Sequence, residues 1–427
     1  MTRQEEQHQS TSSSKKTTAT IANQSIGSNW SRFILLWIAS STNYFAYWAM
    51  QLALPLFASQ LTKSPLLVSG ITFVRTVPYL VLALLGGVLV DRYDRRNVLL
   101  TVTFLRVLTF SVAILASLLG YTTLPLLYGV VLMLGITQTV EEPAFAASVP
   151  MVVRAEKLVV ANAWLAGAQN FVELFAVPVG GILASVSIAL TMGVGAGCAV
   201  MAFLVLLSLR GSYRPGQVEK RHILIEIMVG IRFLWNTRVL RTLGLMAAVI
   251  NACWSAYLTI LVLYAVAPGP MGLTAISYGL LMISSSVGGV ISPFIFILVQ
   301  RWLGRRWAIG LNILGNAVMF ATPACTTNVW MIGGAAVLGG IVGPLWTIEA
   351  ASLLARTVPT TLLGRVNAAY NFLGLGALSI GAALGGVFAQ LLGLRVVFAI
   401  CGCLTLLMLF PFFTVITEQA MKRAKDY

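Results

Sequence analysis

A helix that crosses a hydrocarbon layer of about 30 Å at about 1.5 Å per residue takes roughly 20 mostly apolar residues. This chain of 427 residues supplies such a stretch repeatedly. Charged and turn-rich breaks separate apolar stretches at 31–57, 66–90, 98–119, 124–150, 159–185 and 187–209. After a polar stretch from Arg210 to Arg241 come 242–267, 272–299, 307–325, 329–353, 362–391 and 393–417. The expected architecture is an all-α membrane protein with twelve transmembrane helices in two bundles of six.

Composition agrees with that solvent. Hydrophobic residues make up 58% of the chain and charged residues 10%, and mean hydropathy is +0.88, more apolar than a soluble core with a polar shell requires. A net charge of +15 would suggest nucleic acid in a soluble protein. Placing both termini in the cytoplasm puts 24 of the 28 Lys and Arg in tails and inner loops, so the positive-inside rule accounts for the charge without nucleic acid.

Other residue types exclude other classes. His8 and His222 lie outside the apolar stretches, and no buried metal-ligand set or nucleophile with a base is visible, so neither an enzyme nor a cofactor is expected. Cys198, Cys253, Cys325, Cys401 and Cys403 sit in apolar stretches as small hydrophobes, with no disulfide or metal expected.

The organisation read from these breaks is a disordered cytoplasmic tail at 1–29, a first bundle at 30–209, a linker at 210–241, a second bundle at 242–417 and a short tail at 418–427. Within the linker, Ile223, Ile227, Ile231 and Leu234 oppose Arg221, Glu226 and Arg232, which predicts an amphipathic helix lying along the membrane surface. The halves look related. Asn43 and Asn251 share an offset of 208 with Thr139-Val140-Glu141 and Thr347-Ile348-Glu349. Leu89-Val90-Asp91-Arg92 matches Leu298-Val299-Gln300-Arg301 at 209.

The second stretch ends Gly86-Gly87-Val88-Leu89-Val90-Asp91-Arg92-Tyr93-Asp94-Arg95-Arg96. This resembles the signature loop of the major facilitator superfamily, G-x-L-x-D-R-x-G-R-R between helices two and three. The resemblance implies that Gly86, Gly87, Asp91, Arg92, Arg95 and Arg96 latch an inner gate: glycines let helices approach, and the carboxylate meets a helix N-terminus. Asp94 stands where the family carries Gly, and Gln300 replaces the acid in the second copy.

Pro150 to Leu158, followed by Ala161-Asn162-Ala163, is similar to the loop between helices four and five in macrolide- and siderophore-efflux members. Pro178-Val179-Gly180-Gly181 is similar to the helix-five G-P-x-x-G-G motif of proton-coupled drug antiporters, with Val177 in place of its first glycine and Pro178, Gly180 and Gly181 as the matching positions. The implied function is alternating-access, proton-coupled export of small amphipathic compounds, with import or lysolipid flipping by the same fold as the alternative. The implied setting is a bacterial plasma membrane, with a monomer binding a small-molecule substrate and protons.

Charges inside the apolar stretches need partners or a wet cavity. Arg75 and Glu173 both lie about 22 Å from the inner surface at ~1.5 Å per residue, within reach of pairing. Arg106 and Glu141 lie about 12 to 13 Å up by the same rise and are matched likewise. Glu349 lies about seven residues from Arg356, nearer the inner surface, and Glu142 points about 100° away from Glu141, so that both are expected to snorkel. The sequence leaves open whether such pairs only fix helix register or whether Glu173 or Glu141 exchanges a proton during transport. Asn43, Tyr47 and Gln51 share one helical face, as do Asn251, Ser255 and Thr259, which predicts two polar stripes lining a central cavity.

Overall fold

The computed structural model describes residues 30–154, 157–209, 213, 223–359 and 362–416, without the side chains of 81, 83–92, 159, 163, 166, 170, 174 and 223–227. Both tails and most of the linker's start, Arg221 included, lie outside the described residues.

The first half comprises α1 (Trp30–Leu61), α2 (Pro65–Arg92), α3 (Arg95–Leu118), α4 (Leu124–Val152), α5 (Leu158–Val186) and α6 (Ile188–Ser208). The linker helix is α7 (Ile223–Asn236). The second half comprises α8 (Arg238–Ala265), α9 (Ala275–Trp302), α10 (Arg305–Cys325), α11 (Val329–Thr357), α12 (Leu363–Leu392), and α13 (Leu394–Leu407) continued by α14 (Leu409–Thr414).

Ten helices, with α13 and α14 counted together, are long and apolar enough to cross a membrane among the described residues. Helix α1 has 32 residues but falls outside that set. Its Ser40 to Asn43 run and Gln51 dilute its hydropathy, and many of its apolar side chains, Phe33, Met50, Leu54 and Phe57 among them, are buried against other helices. Helix α2 contributes an apolar segment, Pro65–Leu80, within its described side chains.

Helix α3 shows why the molecule needs lipid. It buries Thr103 and Arg106 and exposes Phe104, Leu108, Leu115 and Leu118. Polar side chains inside and an apolar stripe outside invert the pattern of a surface helix in water.

Short connections make sequential helices antiparallel, so each half has two ends. One end, here the basic end, carries Arg32, Arg95, Arg154, Arg238, Arg305 and Arg365; the opposite end carries Lys63 and Arg395. The halves touch along two seams, α2 against α12 and α5 against α9. Adding six spans to one seam gives the other, as a twofold repeat requires.

The apolar core is divided unequally between the ends. At the opposite end one cluster unites both halves, from Met50, Leu54 and Phe57 on α1 to Ile260, Leu261 and Tyr264 on α8. Toward the basic end the clusters belong to single halves: Phe33, Leu99 and Val149 in the first, and Leu243, Ile313 and Leu353 in the second. Among the described residues, therefore, the halves are fused at one end only. Helix α7 packs on α12, with Gly230 against the Arg365 backbone and Leu234 among Leu240, Leu354 and Val366.

Candidate functional site

A cavity of roughly 210 Å³ opens between the halves, below the fused end. From the first half it receives Tyr47, Trp48 and Gln51 of α1, Thr72, Arg75, Thr76 and Tyr79 of α2, and Glu142 of α4. The second half adds Trp254, Ser255, Leu258 and Val262 of α8, Tyr278 and Met282 of α9, and Leu375 and Leu378 of α12. Spacings of three and four residues, as in Tyr47/Gln51 and Arg75/Tyr79, place these side chains on single helix faces. Most of the wall is aromatic or aliphatic with few polar groups, the usual make-up of a small-molecule pocket.

The six stripe residues divide. Tyr47, Gln51 and Ser255 line the cavity. Asn43 is fully buried within the first half, its amide donating to Thr103 Oγ1 at 3.0 Å. Asn251 faces Gly374 of α12, and Thr259 donates to the Ser255 carbonyl at 2.7 Å.

Asn43 belongs instead to a buried network on α1, α3 and α4. Arg106, at 0% exposure, forms an ion pair with Glu141 at 2.5 Å. It also donates to the Asn43 carbonyl at 3.3 Å, Thr137 Oγ1 at 3.3 Å and Gln138 Oε1 at 3.1 Å. Gln138 then donates to Glu142 Oε1 at 3.3 Å. The chain Glu141, Arg106, Gln138, Glu142 thus runs from the interior of the first half to the cavity wall.

Arg75 and Glu173 are not brought together. Arg75 turns into the cavity over the Tyr47 ring, 5.3 Å from its centroid, and Glu173 is exposed on α5 with no ion pair among the described residues. Equal depth did not suffice, because azimuth around each helix decides contact. Glu349 is buried and meets Arg305 Nε at 3.6 Å.

The helix-five residues form a seam. A Cβ on Gly180 would strike the Ala49 backbone of α1, and Gly181 lies beside Leu52 and the Gly279 Cα of α9. Sequence reasoning missed their twins: a Cβ on Gly385 would lie 2.8 Å from the Ala256 side chain of α8, and Gly386 abuts Ser69 of α2. Both seams close near the fused end.

Of the gate motif, Gly86, Gly87, Asp91 and Arg92 continue the backbone of α2, and their side-chain surroundings lie outside the description. Asp94, with φ −60°, caps α3 through Arg96 N at 3.0 Å and also accepts from Tyr213 N at 3.1 Å. A glycine is not needed at that turn. Arg95 donates to the Ala147 carbonyl at 3.0 Å and Arg96 to the Leu207 carbonyl at 3.0 Å, tying α3 to α4 and α6.

Glu142 and Tyr79 were not singled out by sequence as site residues. The signal for Glu142 was present: with Glu141 committed to the bundle interior, the next residue, about 100° around the helix, faces elsewhere.

A family model described as transmembrane secretion effector matches residues 29–425. The multidrug efflux pump Tap of Mycolicibacterium fortuitum is 26% identical over 366 residues, covering 81% of this chain and 86% of the relative. The enterobactin exporter EntS of Escherichia coli O1:K1 / APEC is 25% identical over 311 residues, covering 72% and 73%. Among solved structures, the nucleoside transporter NupG superposes with a TM-score of 0.70 at 13% identity over 91% of this chain and 99% of that one. A bacterial homologue of ferroportin in an inward-facing state gives 0.69 at 18% identity, covering 90% and 98%. With a helical architecture shared at this level and a family model spanning nearly its whole length, the chain belongs to the transmembrane secretion effector family of major facilitator transporters, multi-pass membrane proteins and not enzymes.

Proposed function

We propose that the protein is a proton-coupled exporter of small amphipathic compounds that works by alternating access. The observation that carries this reading is the cavity between two halves whose core is continuous at one end and divided at the other. The charge distribution supports a cytoplasmic basic end, with both termini inside. In that orientation the conformation described here has its outer side closed. Rocking the halves about the cavity would exchange the closed end, with the paired glycines of α5 and α12 as close-packed pivots.

An aromatic and aliphatic wall with a few polar groups suits amphipathic cargo. The efflux relatives, one of multidrugs and one of enterobactin by name, support the outward direction. For the proton, Glu142 is the carboxylate with access to the cavity, linked through Gln138 to the Arg106–Glu141 pair. Protonation there would remove a charge at the cavity wall and weaken its hold on the interior network.

The test is transport of a fluorescent amphipathic dye into inverted vesicles under an imposed pH gradient. Wild type should accumulate dye and lose it on adding an uncoupler. Glu142→Gln should lose gradient-driven accumulation yet retain dye counterflow. Full gradient-driven transport by that variant would remove Glu142 from the coupling, and dye accumulation that ignores the uncoupler would remove the proton.

A further inference from the structure

The cavity contains a cation, Arg75, for which no ion pair is found among the described residues. Arg75 is 8% exposed, and its Nη1 has no hydrogen-bond partner among the described residues. Its guanidinium rests over the Tyr47 ring at 5.3 Å, which offsets part of the cost of burial but offers no oxygen acceptor. An unpaired cation at this depth in a membrane is costly, and residues kept there usually mark a pathway or a ligand. Glu142 on α4 lines the same cavity, but it accepts from Gln138 and forms no ion pair with Arg75. Gln51, one turn along α1 from Tyr47, also has an unpartnered buried acceptor, Oε1.

We infer that the cavity recognises amphipathic anions: an apolar or aromatic body bearing a carboxylate or similar oxyanion beside a hydrogen-bond donor. This rests on the transport reading above and adds the charge class of its cargo. The oxyanion accepts from Arg75, the neighbouring donor meets Gln51 Oε1, and the body lies against Trp254, Leu258 and Met282. A charge-assisted hydrogen bond to a desolvated guanidinium outweighs a neutral one, so charge and not size should govern selection among matched compounds. The same chemistry would fit an anionic lipid headgroup, and the experiment separates the two sources.

Binding of 2-naphthoate, neutral 2-naphthamide and 2-naphthylmethylammonium is measured on full-length protein in phosphatidylcholine nanodiscs. Wild type should bind the naphthoate about tenfold or more tightly than the other two, as one charge-assisted bond implies. Arg75→Gln should erase that preference while leaving naphthamide affinity within about twofold, which also shows that the variant is folded. Arg75→Lys, which keeps the charge without the fork, should retain part of it. Adding phosphatidylglycerol to the nanodiscs assigns the site to headgroups if it displaces naphthoate and to free solutes if it does not; either supports an anion site. Equal binding of all three compounds, or a preference that survives Arg75→Gln, overturns the proposal. Vesicle flux keeps the two readings apart. Wild type that transports the neutral or cationic compound as well as the anion refutes the charge class alone. Wild type that moves none of the three while binding naphthoate through Arg75 refutes transport alone.

Discussion

The two halves repeat one backbone plan but spend polar residues differently. Helices α3 and α10 start on equivalent pairs, Arg95-Arg96 and Arg305-Arg306; eleven residues further along, α3 carries Arg106 and α10 carries Asn316. Both side chains are buried. Arg106 reaches across to Glu141 on α4, whereas Asn316 donates only to the Asn312 carbonyl of its own helix at 2.9 Å. Glu349, the repeat mate of Glu141, therefore turns to Arg305 at the basic end, whose side chain is 38% exposed. One half holds a desolvated charge pair wired to the cavity, and the other holds its carboxylate against a cation that reaches water. The difference shows how a duplicated bundle can make one half the site of charge chemistry and leave the other a packing partner.

The sharpest way to break this comparison is to remove the cation. Arg106→Met should cost about 3–5 kcal/mol, because it leaves Glu141 buried and unpaired. Asn316→Ala should cost about 1 kcal/mol, the loss of one ordinary hydrogen bond. Unfolding of the purified variants in matched detergent reads both, and equal costs would mean that the halves are not differentiated in this way.

A medium effect tests the close contacts that α5 and α12 make inside their own halves, with α1 and α8 respectively. Gly180→Ala drives a methyl into the Ala49 backbone, which cannot yield, and should cost about 1–3 kcal/mol by overpacking. Gly385→Ala first meets the Ala256 side chain at 2.8 Å and should cost less, measured by the same unfolding. A reversed order would show that α12, not α5, is the tighter pivot.

The smallest effect concerns the turns that open α3 and α10. Asp94 caps by its side chain in an ordinary conformation, and Gly304 turns through φ +84° and ψ 163°, a region almost confined to glycine. Asp94→Ala should cost about 1 kcal/mol as a lost cap. Restoring the family's residue with Asp94→Gly should cost only a few tenths of that unit, since glycine is tolerated at caps. Thermal shifts of the two variants rank them, and a larger loss for Asp94→Gly would show that the added backbone freedom of glycine at this turn outweighs its tolerance at caps.

What the sequence determined by itself was the solvent, the repeat and the family. Apolar run length, the placement of Lys and Arg and the Gly86 to Arg96 motif are all local or additive, so they survive without coordinates. The Arg106–Glu141 pair was also legible, because residues at one depth on consecutive antiparallel helices face a shared interface. Arg75 and Glu173 failed the same test, since α2 and α5 are not neighbours in sequence and depth says nothing about azimuth. The tertiary structure alone decided that Asn43 serves the buried network, that Glu142 and Arg75 share the cavity, and that the twin glycines of α12 mirror those of α5. Each of these depends on how two six-helix bundles are rotated against one another, a property set by packing across the seams and carried by no single stretch of chain.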